Sequence, residues 1–217
     1  MPKRSPKHPF FAHKCRTSVG CSEELATFQK SSTPDQLSFV TNPSNLVLHL
    51  RGGDVFKANA HTGYIQYPIS HLLDVISKFD YSLIVHEDSS IPSLPILKAR
   101  GVILQCSDIV TDFSTLVNSA NLAFGGISTF PIAACILQPK RQTLILAGSV
   151  TVDNLFRSIV RRNKVIFRPL PDYIPESGWI PNSSTTIEMY FKYNASDAFV
   201  HLCDDSDKTI PLKSQLD

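Results

Sequence analysis

The chain has 217 residues, a formal charge of +2 and 42% apolar residues. That length suffices to bury a sizeable core as one domain, and the near-neutral charge gives no electrostatic footprint for nucleic acid. No stretch is long and apolar enough to span a bilayer, so the expectation is no membrane span in this chain.

Residues 1–44 are rich in Lys, Ser, Thr and Pro and lack a sustained apolar period. They are expected to be an N-terminal tail or linker with one short helix at 23–29. The basic start, MPKRSPKHPFFAHKC, lacks the apolar region of a secretory signal. The five cysteines, Cys15, Cys21, Cys106, Cys135 and Cys203, form no zinc-type C-x-x-C pattern. Cys15 and Cys21 can pair across a short loop in an oxidising compartment. Cys106 and Cys135 sit in apolar runs and are expected in the core.

The segment 45–56, NLVLHLRGGDVF, organises the rest. Its apolar run predicts a buried strand that ends in a glycine-rich turn carrying His49, Arg51 and Asp54. Open α/β sheets place ligand chemistry at the carboxyl ends of strands. Arg51 offers a fork of donors suited to a diphosphate, and a charge at the end of a buried strand needs a partner. That partner is a ligand phosphate or a carboxylate such as Asp54 or Asp88. His49 is either a satisfied core histidine or a group of the site. Asp54 braces the turn, pairs with Arg51 or takes part in chemistry.

Pro68 opens a predicted helix over 68–79 with Ile69, Leu72, Leu73, Ile76 and Phe79 on one face. Strands are predicted over 81–87, 102–106, 120–124, 143–146 and 164–167. Helices are predicted after the second strand, then over 112–119 capped by Asp108 or Thr111, over 131–137, over 152–161 and near 185–193. The alternation predicts an α/β fold with a Rossmann-like, doubly wound parallel sheet over 45–195 and a polar C-terminal tail over 196–217. After the strand at 120–124 come Gly125, Gly126 and then Ser128, Thr129 and Phe130, which open a helix. Free N–H groups and the helix dipole at such an end suit a phosphate, and so do the two hydroxyls. The same composition is also ordinary at a strand-to-helix junction.

The H-L-R-G-G-D run resembles the H-x-R motif of the GDP-fucose-using glycosyltransferases, the α1,2-, α1,6- and protein O-fucosyltransferases. There the motif often has the form H-x-R-R-x-D, so Gly52 stands where many members carry a second arginine. The segment LIVHED at 83–88, the segment 108–137 and its Ser128-Thr129-Phe130 are similar to later motifs of that family, in the same order. GWIPNSSTTIEMYFKY is similar, more loosely, to the end of such lobes. The resemblance implies the C-terminal, donor-binding lobe of a GT-B fold.

It further implies fucose transfer from GDP-fucose to a hydroxyl of a glycan or glycoprotein acceptor, inverting and without metal or other cofactor. A Golgi or ER lumenal location follows by resemblance, permitted by the sequons at Asn182 and Asn194. In that scheme Arg51 clamps the diphosphate, with His49 and Asp54 beside it. Gly126, Ser128 and Thr129 bind phosphate, while Asp112 and Phe130 address the nucleotide. Asp112 is equally suited to capping its helix. Asp54 and Glu87 are the candidates for a general base. The alternative is a non-catalytic nucleotide-sugar or glycan-binding module, a truncated or degenerate lobe. Few residues precede His49 for a second lobe. Asp205-Ser206-Asp207 has the D-x-D spacing of a metal site, but its place in an acidic tail favours a solvated segment. Arg157, Arg161 and Arg162 are expected on a solvated helix face.

Overall fold

The computed structural model describes residues 34–53, 55–57, 66–125, 128–147, 162–168, 170, 172–173, 179–180, 183–194 and 200–202. In chain order these form α1 (Pro34–Thr41), β1 (Asn45–Leu50), α2 (Ile69–Ile76), β2 (Tyr81–His86), α3 (Leu94–Ala99), β3 (Ile103–Gln105) and α4 (Ile109–Asn118). Then follow β4 (Asn121–Gly125), α5 (Thr129–Leu137), β5 (Thr143–Ala147), β6 (Lys164–Arg168), α6 (Ser184–Lys192) and β7 (Val200–Leu202). The expected helices at 23–29 and 152–161 lie outside the described residues, as do Cys15, Cys21, Cys203, Asn182 and the D-x-D run.

The strands form one sheet in the order β3-β2-β1-β4-β5-β6-β7. The first six run parallel, and β7 lies antiparallel on β6. Chain order therefore reverses direction between β1 and β4. Such a reversal opens a crevice at the carboxyl edge of the sheet, because the connections from the two central strands depart to opposite sides.

Alternation along β1 builds both layers. Leu46, Leu48 and Leu50 face α2 and α3, and pack with Leu72, Val75 and Leu97. Val47 faces the opposite layer, with Phe113 and Leu116 of α4 and Ala134 of α5. Each leucine so buried contributes about 2 kcal/mol relative to exposure. The sheet is thus covered on both faces, and a parallel sheet needs that.

Residues 34–41, placed in a tail by their polarity, form a helix on this second layer. Only Val40 is deeply buried (1% exposed), so the apolar period is too weak to be seen in the sequence. At the other end, residues 200–202 of the expected tail pair with β6 as an edge strand. The sheet's two edges differ in character. At the amino edge, Asn121 donates its side-chain amide to the carbonyls of Pro43 (2.8 Å) and Asn45 (2.7 Å). Gln142 likewise binds the carbonyls of Leu116 and Ser119. The carboxyl edge instead carries the glycines and the charges.

Candidate functional site at the carboxyl edge

The turn after β1 begins at Arg51 and closes with the Val55 N–H donating to the Gly52 carbonyl at 3.2 Å. Gly53 has φ +57°, the left-handed region where a side chain is strained, so glycine is favoured there. Gly52 is closely packed: a Cβ at that position would lie 3.2 Å from both Asp88 Cγ and Ile91 Cδ1, so those neighbours would have to shift by a few tenths of an ångström. Three side chains distant in sequence hold the turn. Gln66 donates its amide to the Arg51 carbonyl. Trp179 donates its indole N–H to the Val55 carbonyl at 2.9 Å. Asp88, at the end of β2, packs against the two glycines. Arg51 is half-buried. Asp54 lies outside the described residues.

β4, the strand beside β1, ends at Gly125. A Cβ there would overlap the ring of Tyr67, whose hydroxyl accepts the Ala147 N–H at 3.1 Å. Tyr67 therefore spans the ends of β4 and β5, and Gly125 exists to admit its ring. Gly126 lies outside the described residues. Ser128, 2% exposed, is the N-cap of α5, but its hydroxyl makes no capping bond. Pro131 at the third helical position removes one further N–H from the first turn. Thr129 is exposed, and Phe130 is half-buried.

The two segments meet. The His49 and Phe130 rings lie 5.6 Å apart, and Phe130 packs in turn on Phe113 at 5.2 Å. Phe130 is thus held by protein contacts on the α4 side. His49 is 2% exposed, and its Nδ1 has no hydrogen-bond partner. Burial, with the Arg51 charge acting in the same direction, lowers its pKa to about 4. Near neutral pH it is an uncharged ring beside a guanidinium.

Asp112 does not cap α4. Asp108 does so, accepting the N–H groups of Val110 and Thr111 at 3.0 Å. Asp112 is 8% exposed and accepts Gln105 Nε2 at 2.7 Å and the Ser107 N–H at 3.3 Å. It belongs to the end of β3, two strands from β1. Glu87 is exposed at the end of β2, with its carboxylate beside Gly53. Cys106, expected in the core, is exposed instead and donates its thiol to the Glu87 carbonyl at 3.7 Å; Cys135 is buried as expected. Among the described residues no group of three His, Cys, Asp or Glu side chains could hold a metal ion. None of their helices is long and apolar enough to cross a membrane.

A second charged cluster lies beneath Tyr67. Arg168, at the end of β6 and 1% exposed, pairs with Asp74 at 3.0 Å, and its Nη1 lies 3.2 Å from His71 Nδ1. His71 packs against the Tyr67 ring at 4.7 Å. Tyr67 and Gln66 were not singled out from the sequence, and Asp88 was expected there only as a candidate carboxylate partner of Arg51. The one local hint is the placement of Gln66 and Tyr67 immediately before the helix-opening Pro68. Arg162 is exposed as expected and donates to the Ile136 carbonyl at 3.0 Å, while Arg157 and Arg161 lie outside the described residues.

No protein-family model matches the chain, and no curated protein or solved structure matches it.

Proposed function

We propose that this chain is a nucleotide-sugar-binding lobe of a glycosyltransferase, which transfers fucose from GDP-fucose to a glycan or protein hydroxyl. The observation that carries this reading is the meeting of two segments far apart in sequence. The H-L-R turn ends β1, and the Ser128-Thr129-Phe130 helix start follows β4. The two strands are neighbours across the reversal of strand order, with His49 against Phe130 at 5.6 Å. A parallel α/β sheet takes its ligands at that crevice.

In this reading Arg51 binds the diphosphate as a charge-assisted fork, and the uncapped first turn of α5 faces the same oxygens. The guanine lies toward β3, where Asp112 is found; two strand spacings, about 10 Å, suit the reach of a nucleoside diphosphate. The acceptor hydroxyl oxygen attacks the anomeric carbon as the bond to the β-phosphate oxygen breaks. The hydroxyl proton passes to a carboxylate base, for which Glu87 and Asp54 are the candidates. Charge grows on the departing GDP, and Arg51 stabilises it more strongly in the transition state than in the ground state.

A non-catalytic nucleotide-sugar or glycan-binding module is the second reading. What favours it is Gly52, which stands where many members of the family carry a second arginine and where a Cβ would already press on the Asp88 carboxylate and Ile91 at 3.2 Å. Calorimetric titration of GDP and GDP-fucose, with UDP as control, tests both. Guanine-selective binding that falls at least about tenfold in Arg51→Ala supports the donor site. Sugar transfer to any acceptor then separates the enzyme from the binding module. A folded protein that binds neither GDP nor GDP-fucose removes the donor site, and of the second reading leaves only the glycan-binding module.

A further inference from the structure

The end of β2 supports the turn that displays Arg51, and Asp88 is the point of contact. At Gly52 a Cβ would meet Asp88 Cγ and Oδ1 at 3.2 Å, and at Gly53 it would meet Asp88 Oδ2 at 3.2 Å. Two successive glycines thus let backbone lie flat on a carboxylate. Asp88 is itself held in place: its Oδ1 accepts the Ser90 N–H at 2.7 Å and also the Ser90 hydroxyl. The Ser90 hydroxyl, followed by the Ser90 and Gly53 amides and the Lys57 charge, keeps the carboxyl below its ordinary range despite some burial. The group is therefore an anion at neutral pH. On the other side of the turn the Gln66 amide holds the Arg51 carbonyl.

We propose that Asp88 is a positioning residue for Arg51: its carboxylate seats the Gly52-Gly53 backbone and so sets the direction in which the guanidinium leaves the turn. The role rests on the donor-site reading above. It also accounts for Gly52. A long side chain at that position would displace the brace, so the chain keeps one oriented cation where related motifs carry two. A displacement of about 1 Å in a charged ligand-binding group is enough to cost large factors in function.

The test is GDP titration into the full chain and its Asp88→Ala, Asp88→Asn, Arg51→Ala and Arg51→Ala/Asp88→Ala variants. Asp88→Ala is expected to weaken GDP binding about tenfold, whereas Asp88→Asn, which keeps the volume and one acceptor oxygen, stays within about threefold. With Arg51 already removed, Asp88→Ala is expected to change affinity less than about twofold, since no guanidinium remains to be oriented. Should Asp88→Ala fail to fold, Gly52→Ala displaces the same carboxylate by tenths of an ångström and is expected to weaken binding in an Arg51-dependent way. Wild-type affinity in Asp88→Ala, or an equal loss with and without Arg51, overturns the proposal while leaving the donor site intact. Absence of GDP binding by the parent chain removes the donor site, and the positioning role with it.

Discussion

Trp179 donates its indole N–H to the Val55 carbonyl at 2.9 Å, across 124 positions of sequence. Its neighbour Tyr173, with ring centroids 6.5 Å apart, donates its hydroxyl to the Gln66 carbonyl at 2.7 Å. Gln66 in turn holds the carbonyl of Arg51. One C-terminal aromatic pair thus fixes two points flanking the charged turn after β1. Phe56 and Tyr190 complete the cluster, with centroids 5.8 Å apart, and α6 is thereby bound to the same region.

Trp179→Phe leaves a buried carbonyl without its donor and is expected to cost about 1–3 kcal/mol. Trp179→Ala also opens a cavity and is expected to cost about 3–5 kcal/mol. Urea denaturation followed by circular dichroism measures both. Equal midpoints for the parent and the alanine variant would show that the aromatic cluster does not support the fold.

Gly125 and Tyr67 form a second dependent pair. Gly125→Ala places a methyl group inside the Tyr67 ring, so ring or strand must move, at an expected cost of about 1–3 kcal/mol or more. Tyr67→Leu alone also destabilises, because Ala147 loses its acceptor. The double variant is expected to be more stable than the sum of the two losses, since the overlap exists only when both groups are present. Strict additivity of the measured unfolding free energies would contradict the contact.

The buried histidines set a pH dependence. His49 and His71 have pKa values of about 4 and about 3, against 6.5 ordinarily; burial is the larger cause for both, reinforced by Arg51 and Arg168 respectively. As pH falls below 6.5 the unfolded chain takes up these protons first. Their contribution is therefore complete above 6.5 and is lost as pH drops toward 4. Each ring adds a slope of about 1.4 kcal/mol per pH unit in that window. Asp88 and Asp108, lowered from 3.8, lose their contributions only at more acid pH. Denaturation midpoints between pH 7 and 4.5 should fall steeply. His71→Gln, which keeps an acceptor for Arg168, should reduce the slope by about half. A flat profile would mean that these rings are not held neutral.

Particular elements show what was legible in the chain. β1, β2, β4 and β5 are short apolar runs bounded by turn residues, and their positions follow from burial on both faces of a parallel sheet. α1 was not legible because its stability comes from tertiary contacts. Gln36 donates to Gln105 at 3.0 Å and to Thr115 at 2.8 Å, bonds that only exist once β3 and α4 are in place. β7 was hidden similarly, since an edge strand of three residues has no period to detect. Cys106 lay in an apolar-looking run, yet it follows the last residue of β3, a strand that pairs on one side only among the described residues.

The sequence by itself determined the alternation of strands and helices, and hence that His49, Arg51 and Ser128 would share one edge of a parallel sheet. In such a sheet every strand points the same way, so all carboxyl ends must. Only the tertiary structure decided which strands are neighbours, because strand order depends on long-range pairing that no local pattern encodes. It set β1 beside β4 and brought His49 to Phe130. It placed Asp88 under the two glycines, 3.2 Å from where a Cβ at either would lie. It also gave the turn its support from Gln66 and Trp179, residues whose roles depend on contacts across the whole chain.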